Sequence, residues 1–138
     1  MKDTIDLIAR IFISLIFLFE AYDSIVFFKS TKVAMTEHGI TWQQDMLLSM
    51  AIFLLILGGV LVLIGYRSGF GASLLLIYWV PVTFITHTWW SDPDVTQRVE
   101  SIEFMKNIAI IGGLLLIVIN GSGRYSIRRL FATTIVKG

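Results

Sequence analysis

Residues 46–66 read MLLSMAIFLLILGGVLVLIGY, an unbroken apolar stretch without a single charged side chain. A helix needs about 20 apolar residues to cross the hydrocarbon core of a bilayer, and this stretch supplies them. Working outward, Ser68–Ser91 and Asn107–Gly123 are also free of Asp, Glu, Lys and Arg. Leu7–Phe28 is long enough and made mainly of Ile, Leu, Phe and Ala, although Arg10, Glu20 and Asp23 interrupt it. The reading is an all-α membrane protein. It predicts one four-transmembrane-helix domain over residues 1–138, with spans near 5–28, 46–66, 70–90 and 103–121.

Composition agrees. Of the 138 residues, 56% are hydrophobic and only 15% charged, where a soluble domain carries about 25%. Eleven basic residues face ten acidic ones, so no nucleic-acid partner is implied. The absence of cysteine excludes disulfides, thiolate metal sites, Fe–S clusters and covalently attached haem. The amino end, MKDTID, is a poor signal-peptide start, so the first helix is expected to remain as an anchor.

Four crossings place both termini on one side. Lys2, Arg10, Arg67, Arg124, Arg128, Arg129 and Lys137 then share that side, against Lys29, Lys32, Arg98 and Lys106 on the other. The positive-inside rule puts both termini in the cytoplasm. The turn Tyr66-Arg67-Ser68-Gly69 makes the second and third spans antiparallel neighbours. Residues 29–45 form the longest outer loop; within it, Lys32–Gln44 reads as a short amphipathic piece broken at Gly39. The basic tail 124–138 is expected to lie on anionic headgroups.

Small residues at Ala51, Gly58, Gly65, Ala109 and Gly113 read as helix-packing positions, and Pro81 as a kink in the third span. The ionisable residues inside the spans are the candidate functional groups. A charge at mid-bilayer costs about 2.5–3.5 kcal/mol on insertion scales, so such a group faces the interior, pairs or becomes neutral. Glu20 and Asp23 share one face of the first helix. Trp79, Thr83, His87 and Trp90 form a stripe on the third. Glu103, Lys106 and Asn107 stand at the outer entrance of the fourth. Convergence of Glu20, Asp23, Thr83, His87, Trp90, Lys106 and Asn107 at the outer side would make a polar pocket with tryptophan walls, suited to a quinone headgroup or another small polar ligand. No metal site and no intrinsic cofactor is read here; a lone pair of histidines, one in a loop, gives no haem clamp. Arg10, one turn beyond Asp6, is read as a structural charge. The plainer readings stay open beside these: Lys106 snorkelling to the surface, Trp89 and Trp90 as interface-belt aromatics, and Glu20 with Lys106 as an interhelical ion pair.

Four segments give a family resemblance: IARIFISLIFLF at residues 8–19, LGGVLVLIG at 57–65, EFMKNIAIIGGLLL at 103–116 and GSGRYSI at 121–127. Together they resemble the DoxX family of small four-helix bacterial membrane proteins, with one departure. Where that family often carries a glycine and then a lysine, this chain reads Phe19-Glu20-Ala21-Tyr22-Asp23. The resemblance implies an inner-membrane accessory subunit of a respiratory or sulfur-redox complex. Such a subunit is at most a cofactor-dependent or non-catalytic part of an oxidoreductase, with quinone as its ligand and other membrane subunits as partners. Two alternatives accompany it: a structural or assembly protein without ligand, and a homo-oligomeric carrier of a small solute.

Overall fold

A computed structural model of the chain describes residues 1–86 and 93–121. Five helices account for nearly all of them: α1 (Lys2–Val26), α2 (Phe28–Glu37), α3 (Gln44–Ile64), α4 (Ser68–Thr86) and α5 (Asp94–Asn120). The helices α3, α4 and α5 are each long and apolar enough to cross a membrane, and a fourth span is reached if the bent pair α1–α2 counts as one.

The long helices lie side by side. Leu18 against Gly59, with Arg10 reaching Val62 and Leu63, sets α1 antiparallel to α3. Gly58 against Leu75, and Gly71 against Leu61, set α3 antiparallel to α4. Phe84 against Phe104, and Gly69 against Val118, set α4 antiparallel to α5. Ile13 touching Gly113 brings α5 back to α1. Phe17 and Ala21 (α1), Leu55 and Val62 (α3), Ala72, Leu75 and Trp79 (α4) and Leu114 (α5) form the shared core. On α1 the buried positions Arg10, Ser14, Phe17, Ala21 and Ser24 repeat at alternating steps of four and three, the period of a helix that shows one stripe to its neighbours.

Glycine makes the closest of these approaches possible. A Cβ at Gly58 would stand 2.7 Å from Leu75 Cγ and 2.8 Å from the Gly71 carbonyl oxygen, so the α3–α4 contact needs hydrogen at that position. Gly65, at φ +76, ends α3 in the left-handed conformation and turns the chain toward α4.

Polarity is arranged inside out. Arg10, Ser14, Ser24, Ser68, Thr83 and Asn107 are buried, while Phe12, Phe19, Phe53, Ile77, Leu116 and Ile119 are exposed. An apolar exterior of this extent needs a lipid solvent to cover it.

Two boundaries differ from the sequence expectation. The first helix stops at Val26, and after Phe27 the chain turns by 98° into α2, which begins at Phe28, four residues before the amphipathic piece expected from Lys32, and ends at Glu37, just before Gly39. The last helix starts at Asp94 instead of near residue 103, adding turns above the apolar segment; the Pro93 carbonyl accepts from the Thr96 and Gln97 amides at its start. Pro81 lies within α4. The tail 124–138 lies outside the described residues.

Candidate functional site

α2 is fastened to the start of α3. Lys32 Nζ donates to Asp45 Oδ1 at 2.7 Å, and Gln44 Nε2 donates to the Thr36 hydroxyl and the Ile40 carbonyl, both at 2.7 Å, as well as to the Lys32 carbonyl at 3.3 Å. His38 Nδ1 lies 2.8 Å from the Ala34 carbonyl at the end of α2. Between α2, α3 and α4 this leaves a groove of about 380 Å³, with Met35, Leu48, Ala51, Leu54, Ile77 and Pro81 among its walls and Thr31, His38, Tyr78 and Thr86 as its polar groups.

A second polar region lies in the interior, where α1, α4 and α5 meet. Phe17 meets Trp79 edge to face at 4.9 Å, with Tyr78 6.2 Å from Trp79. Glu20, one turn beyond Phe17, is near enough to Tyr78 to act on it electrostatically. Thr83 is fully buried and donates its hydroxyl to the Trp79 carbonyl at 2.7 Å. The antiparallel register of α4 and α5, fixed by Phe84–Phe104 and Gly69–Val118, puts Asn107 at the depth of Val80. Asn107 is 9% exposed. Trp79 is 5% exposed, and its indole N–H has no acceptor among the described residues. A buried donor without a partner costs about 1–3 kcal/mol, so this N–H is the most conspicuous unmet demand in the interior.

The sequence-derived candidates therefore separate. Glu20, Thr83 and Asn107 sit on the helices that meet around Trp79, and Asp23 is half-buried near the C-terminal end of α1. Lys106 is turned outward: its side chain is 63% exposed and bonds to Glu103 Oε1 at 3.4 Å, one turn back on its own helix. His87 and Trp90 lie outside the described residues. Tyr78 is not singled out by the sequence. It stands next to Trp79, about 100° round the helix from the stripe, so the spacing rule that finds Trp79 and Thr83 passes over it.

Arg10 forms a separate centre at the other end of α1. It is 1% exposed, and its Nε donates to Asp6 Oδ2 at 2.9 Å. Its Nη1 donates to the carbonyls of Leu63 at 3.0 Å and Val62 at 3.3 Å, two of the acceptors left open where α3 ends.

A sequence profile of the SURF4 family matches residues 2–130. The chain belongs to the SURF4 family. It is 30% identical over 130 residues to the inner membrane protein YqjF of Escherichia coli (strain K12), covering 94% of both chains. It is 29% identical over 124 residues to the inner membrane protein YphA of the same organism, covering 89% of this chain and 87% of that one. A Surfeit locus protein 4 homolog of Schizosaccharomyces pombe shares 30% identity over 69 residues, 49% of this chain and 23% of the longer yeast protein. No solved structure matches.

SURF4 membership corrects the DoxX resemblance. The segments that carried it have general physical roles here: Gly58 and Gly59 admit Leu75 and Leu18 side chains, Gly113 admits Ile13, and Lys106 reaches outward. Close-packed antiparallel membrane helices need such glycines whatever the family. This SURF4 chain is a membrane protein in contact with lipid.

Proposed function

We propose that the protein binds a small lipid-soluble ligand bearing a hydrogen-bond acceptor, and that a quinone carbonyl is that acceptor. The observation that supports this reading is the Trp79 indole N–H, buried and without an acceptor among the described residues. Asn107 offers a second donor at similar depth. Glu20 and Thr83 line the outer approach, and Asp23, His87 and Trp90 complete it in this proposal. Lys106 serves as a surface anchor. Nothing in the chain is itself a redox centre, so the protein holds the ligand and leaves electron transfer to a partner. Membership of a respiratory or sulfur-redox complex, which the DoxX resemblance implied, falls with that resemblance. The proposal includes an inner-membrane location with four crossings and both termini cytoplasmic. It also includes association with other membrane subunits or a second copy.

The test is binding of a short-chain benzoquinone to purified protein in detergent, followed by ligand-induced thermal stabilisation. Trp79→Phe and Asn107→Leu each remove one donor, worth about 0.5–1.5 kcal/mol, so each should weaken binding up to about tenfold. Wild-type affinity in both variants would exclude this site.

A second reading, a structural or assembly protein, draws on Arg10. There an interior charge pairs with Asp6 and closes a helix end, with no ligand required.

A further inference from the structure

The groove between α2, α3 and α4 is a second cavity, distinct from the interior around Trp79. Its volume of about 380 Å³ falls in the range of small-molecule sites. The antiparallel register of α3 and α4 sets Leu47 level with Thr86 at one end of it, and Leu54 with Ile77 at the other. At about 1.5 Å of rise per residue these ends are about 10–14 Å apart. Because α2 leaves α1 at 98°, α2 lies along the interface where α1 crosses the bilayer, and the Thr86 end opens beneath it with Thr31 and His38 at its rim. The walls are almost entirely aliphatic, and no Asp, Glu, Lys or Arg lines them among the described residues. The rim selects by the direction of its hydrogen bonds. Thr31 Oγ1 donates to the Phe27 carbonyl at 2.8 Å, and Thr86 Oγ1 to the Val82 carbonyl at 2.7 Å, so both hydroxyls keep only lone pairs for a ligand. His38 Nδ1 lies 2.8 Å from the Ala34 carbonyl; a carbonyl only accepts, so Nδ1 carries the hydrogen and Nε2 of the neutral ring is left as an acceptor. Farther in, Pro81 has no N–H, so the Ile77 carbonyl on the same wall goes without the helical bond from that position. The rim side chains therefore accept and do not donate. A carboxylate or ester head finds no donor in them, and an ammonium finds no carboxylate to neutralise it. A hydroxyl head is neutral and supplies the missing hydrogens.

We propose that this groove binds one monoacylglycerol, its single chain lying along Leu48, Ala51 and Leu54 and its two free hydroxyls donating to acceptors among Thr31, His38 and Thr86. One slot takes one chain, and a rim of several acceptors suits a head with more than one hydroxyl. The site is independent of the quinone proposal; Tyr78, at the inner wall of the groove about two turns deeper than Thr86, is the one residue near both.

The experiment is binding of radiolabelled monooleoylglycerol to the full chain in detergent, with displacement by unlabelled monooleoylglycerol, methyl oleate or oleate. The three competitors share one chain; methyl oleate has no donor and oleate adds a negative charge. The expected result is one saturable site per chain, from which monooleoylglycerol displaces the label at a several-fold lower concentration than either competitor. Ala51→Trp, which fills the slot, should abolish binding in protein that still elutes as folded monomer. Thr31→Val combined with Thr86→Val keeps the shape of both side chains and removes two acceptors. It should weaken monooleoylglycerol several-fold and leave methyl oleate unchanged. Equal displacement by monooleoylglycerol and methyl oleate in the wild type would overturn the proposal, as would stronger displacement by oleate or an unaltered preference in the double variant. Chain that takes up no label and runs as a dimer by light scattering would overturn it in favour of a second copy as the occupant.

Discussion

Arg10 Nη1 donates to the Leu63 carbonyl at 3.0 Å, so a side chain from the start of α1 closes the end of α3. The same guanidinium reaches Val62 and is held by Asp6. It satisfies two orphan carbonyls and places a cation at the negative end of a helix dipole.

Removing the guanidinium should therefore cost more than an ordinary surface charge. Arg10→Ala leaves buried acceptors open, each costing about 1–3 kcal/mol, and removes the ion pair with Asp6. The expected result is a drop in melting temperature in detergent that Arg10→Lys recovers only in part, because an ammonium cannot fork between Asp6 and two carbonyls. An Arg10→Ala protein melting with wild type would show that this network contributes nothing.

The glycines divide by what surrounds them, which gives a paired prediction. Gly58→Ala forces a methyl to 2.7 Å from Leu75 and 2.8 Å from a backbone oxygen that cannot swing aside, so α3 and α4 must separate. Overpacking of this kind costs about 1–3 kcal/mol. Gly112 faces open space on the outside of α5, where a methyl would meet nothing within 4 Å, and Ala there should be neutral or stabilising by about 0.5–1 kcal/mol. Thermal melts of the two variants side by side should move in opposite directions or leave Gly112→Ala unchanged.

How far the sequence could be read depends on where the physical signal is local. The span α3 was legible to within two residues at each end, because an uncharged window marks both limits. The turn at Phe27 was not: no Gly or Pro stands there, and α2 is held by Lys32–Asp45 and by Gln44 across many residues of sequence. The first turns of α5, before residue 103, were missed because Asp94, Arg98 and Glu100 make that stretch polar without ending the helix. At the interior site, burial of Thr83 and Asn107 agrees with their spacing on α4 and α5, yet Lys106, the immediate neighbour of Asn107, points away by the ordinary 100° of one helical step. The unmet Trp79 indole donor could not be read at all, since only coordinates show whether an acceptor is near.

The Lys32–Asp45 contact should act on motion more than on stability. Both groups reach solvent, and exposed ion pairs contribute about 0–1 kcal/mol. Asp45→Asn should leave the melting temperature nearly unchanged while raising amide hydrogen exchange across α2 and not across α3, because the α2 backbone has no buried side chain of its own to hold it. Unchanged protection in α2 would mean that Gln44 alone is a sufficient fastening.

The crossing topology is open to a direct measurement, because the chain contains no cysteine and every introduced thiol is unique. Gln43 and Tyr66 flank the two ends of α3, whose 21 residues span about 30 Å. If the excess of Arg and Lys around Arg67 marks the cytoplasmic face, Tyr66→Cys should be shielded in intact cells from a membrane-impermeant maleimide and should react only after permeabilisation. Gln43→Cys, beside α2 on the outer face, should react in both conditions. Labelling in the reverse sense would invert the whole molecule, placing α2 and its groove on the cytoplasmic leaflet. Labelling of both thiols in intact cells would mean that α3 does not cross.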